Sequence, residues 1–116
     1  QIQGTVDAAE VTARLKDKYH IDGPFALDNA VSEEAARHKG IKSPIAGKAD
    51  ILIVPDMWSG NIFTKGLVFF AHMKSAGTLN GLRSPVVMTS RTDTIENKYY
   101  SILTSVLGTI QSCQCF

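Results

Sequence analysis

Apolar residues along the chain alternate between helical spacing and short, unbroken apolar runs. Unbroken runs at 51–54 and 86–89 are typical of strands that helices cover on both faces, and a shorter extended segment is predicted at 78–82. Helical spacing and capping signals fall between these runs. They predict helices or helical turns over residues 5–19, 25–30, 32–38, 59–73 and 94–109. Because helices and strands alternate, the pattern predicts one layered α/β domain over residues 1–116 with a mainly parallel sheet.

Polar residues directly after the first apolar run form one candidate site. Asp56 follows the strand, and Ser59, Gly60 and Asn61 open the next helix, which also carries Lys65. Ligands of open α/β sheets bind where strands end and helices begin, and the unpaired N–H groups of a helix start favour an anion. Glycine allows a ligand to approach the backbone closely. An ordinary strand-to-helix turn capped by Ser59 fits the same residues.

The second run ends in a similar cluster. Arg91 can hold a phosphate through two charge-assisted hydrogen bonds, and Ser90 can donate a hydrogen bond to developing negative charge. Asp56 or Asp93 can orient Arg91 or accept a proton. No histidine is placed to activate Ser90, so a nucleophilic triad is not predicted. A capping serine beside a surface arginine is the alternative interpretation.

Composition narrows the class of protein. The chain has 116 residues, 44% of them hydrophobic and 20% charged, which is typical of a globular domain. A net charge of +1 creates no field that would recruit nucleic acid or an acidic membrane, and no apolar run has the length of a membrane span. The polar N-terminal stretch does not resemble a signal peptide. Cys113 and Cys115 suggest neither a disulfide framework nor a metal site, so a cytoplasmic setting is expected.

Four motifs occur in one order over residues 21–102. They are Asp22-Gly23-Pro24 with Leu27-Asp28-Asn29-Ala30, Ser43-Pro44 with Ala46-Gly47-Lys48-Ala49-Asp50, Pro55-Asp56 with Gly60-Asn61-Ile62 and Lys65, and Val86-Val87 with Thr89-Ser90-Arg91. Together they resemble the C-terminal part of the phosphate acetyl/butyryltransferase family, and the Asp-Asn-Ala-Val and Thr-Ser-Arg forms are closer to the butyryl branch.

The resemblance implies reversible acyl transfer between coenzyme A and inorganic phosphate, giving an acyl phosphate. Coenzyme A would be a substrate, with no tightly bound cofactor. The implied fold is a three-layer α/β/α architecture related to isocitrate and isopropylmalate dehydrogenases, in a homodimer whose active site lies between two domains. The implied roles are phosphate binding for Arg91 and transition-state stabilisation for Ser90, with direct attack by the coenzyme A thiolate.

The general base stays open. In the acetyl branch a catalytic aspartate follows the Ser-Arg pair by several residues, where this chain has Glu96 and Asn97; Asp93 is nearer. Family members are longer, and their N-terminal domain adds arginines to the cleft. Trp58 stands where the family usually has a smaller or acidic residue. The rival hypothesis is a non-catalytic α/β module that binds phosphate, coenzyme A or a partner chain. A metal-dependent dehydrogenase would need an acidic cluster that the chain lacks.

Overall fold

The computed structural model describes residues 2–112, so Cys113 and Cys115 lie outside the described residues. The chain forms two compact units, Gln1–Phe63 and Thr64–Phe116. The prediction that residues 1–116 form one domain of a longer architecture stays a prediction. No helix in the described part is both long and apolar enough to cross a membrane. The elements are α1 (Gln3–Leu15), α2 (Leu27–Val31), α3 (Glu33–His38), α4 (Met57–Phe69), β1 (Thr78–Leu79), β2 (Val86–Val87) and α5 (Ile95–Ser112).

In the first unit, local signals define α3 as the sequence predicts. The Ser32 hydroxyl oxygen accepts a hydrogen bond from the Ala35 backbone N–H at 3.2 Å. Glutamates fill the first turn of α3, and Arg37 and His38 fill the last, so charges at both ends complement the helix dipole. Gly40 follows with φ of 68°, which lets the chain turn away after the helix.

A loop closes over α2 and α3 and buries the small core of this unit. The Gly47 N–H donates to the Asn29 carbonyl oxygen at 2.8 Å, and the Ala49 N–H donates to the Ala30 carbonyl oxygen at 3.0 Å. Gly47 has φ of 80°, and a Cβ there would lie 2.2 Å from the Glu33 nitrogen. Close backbone contact therefore holds the loop in place. The buried side chains of the unit are Asn29, Ala30, Ala36 and Ala46.

The predicted buried strand at 51–54 is not formed within the described residues. This segment pairs with no neighbouring strand, and Ile51 and Ile53 are 79% and 80% exposed. The apolar run indicates only that burial of these side chains would be favourable. A strand, however, requires a hydrogen-bonded neighbour, which a local pattern does not provide.

In the second unit, β1 and β2 pair antiparallel, with Thr78 opposite Val87 and Leu79 opposite Val86. The prediction of a mainly parallel sheet is therefore not met in the described residues, whose one sheet has two strands. Residues 80–85 connect the strands directly, whereas a parallel pair needs a long crossover. The strand predicted at 86–89 is present at Val86–Val87, but its predicted burial is wrong, because both valines of β2 are exposed.

Helix α5 turns a polar stripe toward its own unit. Asn97, Ser101 and Ser105, spaced four residues apart, are buried, whereas Ile102, Leu103, Val106 and Leu107 are exposed. The Asn97 side-chain oxygen accepts from the Ser75 N–H at 3.3 Å, and the Asn97 amide donates to the Ser75 hydroxyl at 3.2 Å. Ser101 Oγ accepts from the Gly77 N–H at 3.0 Å and donates to the Asn97 carbonyl at 2.8 Å. These hydrogen bonds hold Ser75 and Gly77, which precede β1, against α5.

We expect Ser101→Ala to lower the free energy of unfolding of this unit by about 1–3 kcal/mol, because the Gly77 N–H loses its acceptor. Urea denaturation followed by circular dichroism measures the change. Thr104→Ala, at an exposed position of α5, is the matched control and should change stability by no more than about 0.5 kcal/mol. Equal effects of the two substitutions would contradict the role of the Ser101 hydrogen bond.

Candidate functional site

The first candidate cluster lies at the start of α4, where Asp56 caps the helix. Asp56 Oδ1 accepts from the Ser59 backbone N–H at 2.8 Å, and Oδ2 accepts from the Ser59 hydroxyl at 3.1 Å. The interpretation in which Ser59 is the N-cap is therefore wrong, because α4 begins earlier, at Met57. The hydrogen bond from the Ser59 N–H lowers the pKa of Asp56 below its ordinary value of 3.8, despite opposition from partial desolvation.

Gly60 lies one turn inside α4, where the preceding chain packs closely against it. A Cβ at Gly60 would meet Val54 Cγ2 at 3.0 Å, so the missing side chain leaves room for that valine. Asn61 is exposed on the same helix. Lys65 belongs to the second unit, and its Nζ lies 5.7 Å from the centre of the Phe69 ring, a cation–π contact. Asn61 and Lys65 thus keep polar groups available, and their substrate roles stay predictions.

We expect Asp56→Ala to lower the melting temperature at pH 7, while Asp56→Asn, which retains a capping oxygen, lowers it less. The pH dependence has a defined sign because the folded-state pKa is depressed. The carboxylate's contribution is fully present above the unfolded-state pKa and is lost as pH falls through the folded-state pKa. Thermal melts of the three proteins between pH 2 and pH 7 measure it. A wild-type advantage that persists unchanged at pH 2 would contradict the capping role.

The second candidate cluster is a closed turn directly after β2. The Ser90 N–H donates to Asp93 Oδ2 at 2.6 Å, and the Asp93 N–H donates to the Ser90 carbonyl oxygen at 3.1 Å. The Ser90 and Thr92 hydroxyl oxygens lie 3.0 Å apart, and the Thr92 N–H reaches Ser90 Oγ at 3.4 Å. The structure therefore brings Ser90 and Asp93 together in one turn. Thr92, which sequence analysis did not single out, joins them.

Arg91 occupies the middle of this turn and is exposed. Its side chain forms no hydrogen bond or ion pair with another described residue. A guanidinium presents donors in a planar fork that matches two oxygens of a phosphate or carboxylate. The turn thus carries a cation that is unpaired among the described residues, and Ser90 is its neighbour in sequence. This combination suits an oxyanion ligand.

The groups that follow the turn are already engaged with neighbours. Glu96 forms an ion pair with Lys74 and accepts from the Tyr100 hydroxyl at 3.0 Å. Its hydrogen bond with Lys74 is the main cause that lowers the pKa of Glu96, and the same bond raises the pKa of Lys74. Asn97 is buried, and its N–H donates to Thr94 Oγ1 at 3.1 Å. The Glu96 carboxylate is therefore paired, and Asn97 has an amide instead of a carboxylate.

The candidate residues fall into two separate units. Asp56, Gly60 and Asn61 belong to the first, whereas Lys65 and the Ser90–Asp93 turn belong to the second. Across the part of the chain that the structure describes, no three His, Cys, Asp or Glu side chains are grouped in a way that could hold a metal ion.

Comparison with known proteins finds a matching family model and several similar sequences. Residues 1–106 match the family described as phosphate acetyl/butaryl transferase. The chain is 62% identical over 87 residues to phosphate acetyltransferase of Thermotoga maritima, covering 75% of this chain and 30% of that protein. It is 47% identical over 111 residues to phosphate butyryltransferase of Clostridium beijerinckii, covering 91% and 36%.

A solved structure agrees with these sequence matches. The crystal structure of a branched-chain phosphotransacylase from Enterococcus faecalis superimposes with a TM-score of 0.77 and 45% sequence identity, covering 88% of this chain and 38% of that one. The chain therefore belongs to the phosphate acetyl/butyryltransferase family, as the four motifs predict. It spans about a third of the length of the relatives that it matches.

Proposed function

We propose that this chain provides the phosphate-binding part of a phosphate acyltransferase, which converts acyl-CoA and inorganic phosphate to acyl phosphate and CoA. The observation that carries the proposal is the turn after β2, where Arg91 is unpaired among described residues and Ser90 lies beside it. Relatives at 62% and 47% identity with phosphate acetyl- and butyryltransferase names support the same reaction. The butyryl branch is the preferred acyl specificity, and acetyl transfer is the alternative.

The chemistry of the two side chains fits the reaction in the direction of thioester synthesis. The thiolate sulfur of CoA bonds to the acyl carbon, and the bond from that carbon to the phosphate oxygen breaks. The phosphate leaves with the electron pair of that bond. The Arg91 guanidinium would stabilise the departing phosphate through two charge-assisted hydrogen bonds. The Ser90 hydroxyl would donate to the carbonyl oxygen as negative charge develops there. A carboxylate takes the thiol proton, and its identity is an open part of the proposal.

The remaining features of the proposal concern the complete enzyme. We propose that the three-layer fold related to the dehydrogenases, the homodimer and a cytoplasmic setting apply to the full family architecture, about a third of which this chain spans. Asp56, Gly60, Asn61 and Lys65 are proposed to lie near the substrates, with Asn61 and Lys65 offering polar groups on α4. The Asp56 carboxylate would act there through the helix start that it caps.

The direct test is thioester formation from butyryl phosphate and CoA, measured by ultraviolet absorbance of the thioester with the purified chain over a range of protein concentrations. Turnover that Arg91→Ala abolishes would support the proposal. In parallel, inorganic phosphate and CoA are titrated separately against the chain by calorimetry. Absence of turnover and of binding to either substrate would overturn the proposed function for this polypeptide.

The second candidate function is a non-catalytic binding module. Its support is the exposure of large apolar side chains such as Ile51, Ile53 and Phe70. Exposed apolar surface of this kind is typical of surfaces that meet another polypeptide. Binding of phosphate or CoA without turnover would favour this candidate. Turnover by the purified chain would exclude it.

A further inference from the structure

The Ser90–Asp93 turn is closed by two reciprocal bonds. Asp93 Oδ2 receives the Ser90 N–H at 2.6 Å, and the Ser90 carbonyl oxygen receives the Asp93 N–H at 3.1 Å. Ser90 and Asp93 are half-buried, whereas Arg91 and Thr92 between them are exposed. A ring of this kind fixes the backbone at both ends of the exposed pair.

Every hydrogen-bonding group of Ser90 has a contact inside the turn, and its hydroxyl proton stays available to a substrate when the Thr92 hydroxyl is the donor in their contact. Its N–H and carbonyl bond to Asp93, and its hydroxyl contacts the Thr92 hydroxyl at 3.0 Å and the Thr92 N–H at 3.4 Å. The Arg91 side chain is outside this network. The network therefore holds the Ser90 hydroxyl in one place and presents the arginine, without occupying the guanidinium.

We infer that Asp93 is a positioning residue, whose carboxylate acts as a hydrogen-bond acceptor that holds Ser90 and Arg91 in place and does not transfer the thiol proton. The inference rests on the proposed function for its place in the reaction. Its physical basis is separate: one carboxylate oxygen is directed at a backbone N–H of its own turn. A ligand that binds a preordered turn does not have to order it, so positioning strengthens oxyanion binding.

Two conservative substitutions separate the roles because they have opposite consequences. Asp93→Asn keeps an acceptor oxygen at the same distance along the side chain but loses the carboxylate that a proton acceptor needs. Asp93→Glu keeps the carboxylate but displaces it by one methylene. A positioning residue therefore tolerates Asn better than Glu, and a general base tolerates Glu better than Asn. Asp93→Ala removes both properties.

The primary readout is hydrogen exchange of the Ser90 amide, measured by NMR on the ¹⁵N-labelled chain, because it requires no ligand and no turnover. We expect Asp93→Ala and Asp93→Glu to speed exchange by about tenfold, and Asp93→Asn to leave it nearly unchanged. Asp17→Asn removes the same charge elsewhere and should leave Ser90 exchange at the wild-type rate. Thermal melts of each variant verify that it is folded. If Asp93→Ala is unfolded, the Asn and Glu variants still decide the question.

A second readout links the turn to the proposed reaction. Inorganic phosphate is titrated while the Arg91 Nε–H resonance is followed, and the Ala and Glu variants should bind about tenfold more weakly than wild type and Asp93→Asn. If phosphate does not shift Arg91 in the wild type, the phosphate-binding role proposed for Arg91 fails, and Ser90 exchange still decides the positioning role. Equal Ser90 exchange in wild type and Asp93→Ala overturns the inference. Protection retained by Glu and lost by Asn also overturns it.

Discussion

Replacing Gly47 with alanine is expected to unfold or severely loosen the first unit, with a loss of about 3 kcal/mol or more. The added Cβ would lie 2.2 Å from the nitrogen and 2.4 Å from the Cα of Glu33, and 2.7 Å from the carbonyl carbon of Ser32. All three are backbone atoms, which cannot rotate away as a side chain does. Gly47 also has φ of 80°, where a non-glycine residue is strained.

The consequence is large because the unit has little else to hold it. Its buried hydrophobic side chains are Ala30, Ala36 and Ala46, and each buries little apolar surface. The loop at Gly47 supplies the N–H that donates to the Asn29 carbonyl oxygen at 2.8 Å. A displaced loop would expose these alanines and break that bond. The expected result is loss of helical circular dichroism from α2 and α3 and of dispersed NMR signals from the unit.

Gly40→Ala is the matched control. Gly40 also has positive φ, at 68°, but no atom would lie within 4 Å of an added Cβ. We expect it to cost about 1–2 kcal/mol, the strain of the left-handed conformation alone. Urea denaturation of both variants separates strain from collision. Similar losses for Gly40→Ala and Gly47→Ala would mean that the contact with Glu33 is unimportant.

Arg91→Ala is expected to lower kcat/KM for thioester formation by about 100-fold or more, because the leaving phosphate loses its bidentate donor. Arg91→Lys keeps the charge but not the planar fork, so its kcat/KM should lie between those of wild type and Arg91→Ala. Stability should change little, since Arg91 has no hydrogen bond or ion pair with another described residue. Initial rates at varied butyryl phosphate and CoA, with melting temperatures, measure both effects.

Arg83→Ala is the control for the charge. Arg83 is also exposed in the second unit, in the connection between β1 and β2. It should leave the rate and phosphate binding close to wild type. If a chain without turnover still binds phosphate, the affinity of the Arg91 variants replaces kcat/KM as the readout. Equal losses from Arg83→Ala and Arg91→Ala would indicate a general electrostatic effect and contradict a specific role for Arg91.

Local signals predicted part of the structure well. Ser32 with two following glutamates predicts α3, and the Ser32 cap is present because both the donor and the acceptor lie within one turn. The predicted helices at the two ends of the chain are also present, with bounds that differ by one to four residues. The close spacing of Ser90 and Asp93 places them in one turn. These features depend on neighbours in sequence, so the sequence contains them.

Features that depend on distant neighbours were predicted poorly. Residues 51–54 are apolar enough for a buried strand but lack a strand to pair with in the described structure. Asp56 and Ser59 are both good capping residues, and only the actual start of α4 decides between them. The buried Asn97 and Ser101 of α5 carry no hydrophobic signal. Their burial follows from the backbone groups of Ser75 and Gly77 that they satisfy.

The sequence by itself determined family membership and the residues of the candidate site. Four motifs in one order identify the family because a shared fold preserves residue types at set intervals, and Ser90 and Arg91 belong to the last motif. Only the tertiary structure decided how those residues are used. It directs the Asp93 carboxylate to the Ser90 N–H and leaves Arg91 unpaired among the described residues. Spacing brings such groups within reach, but the backbone conformation of the turn selects which of them bond.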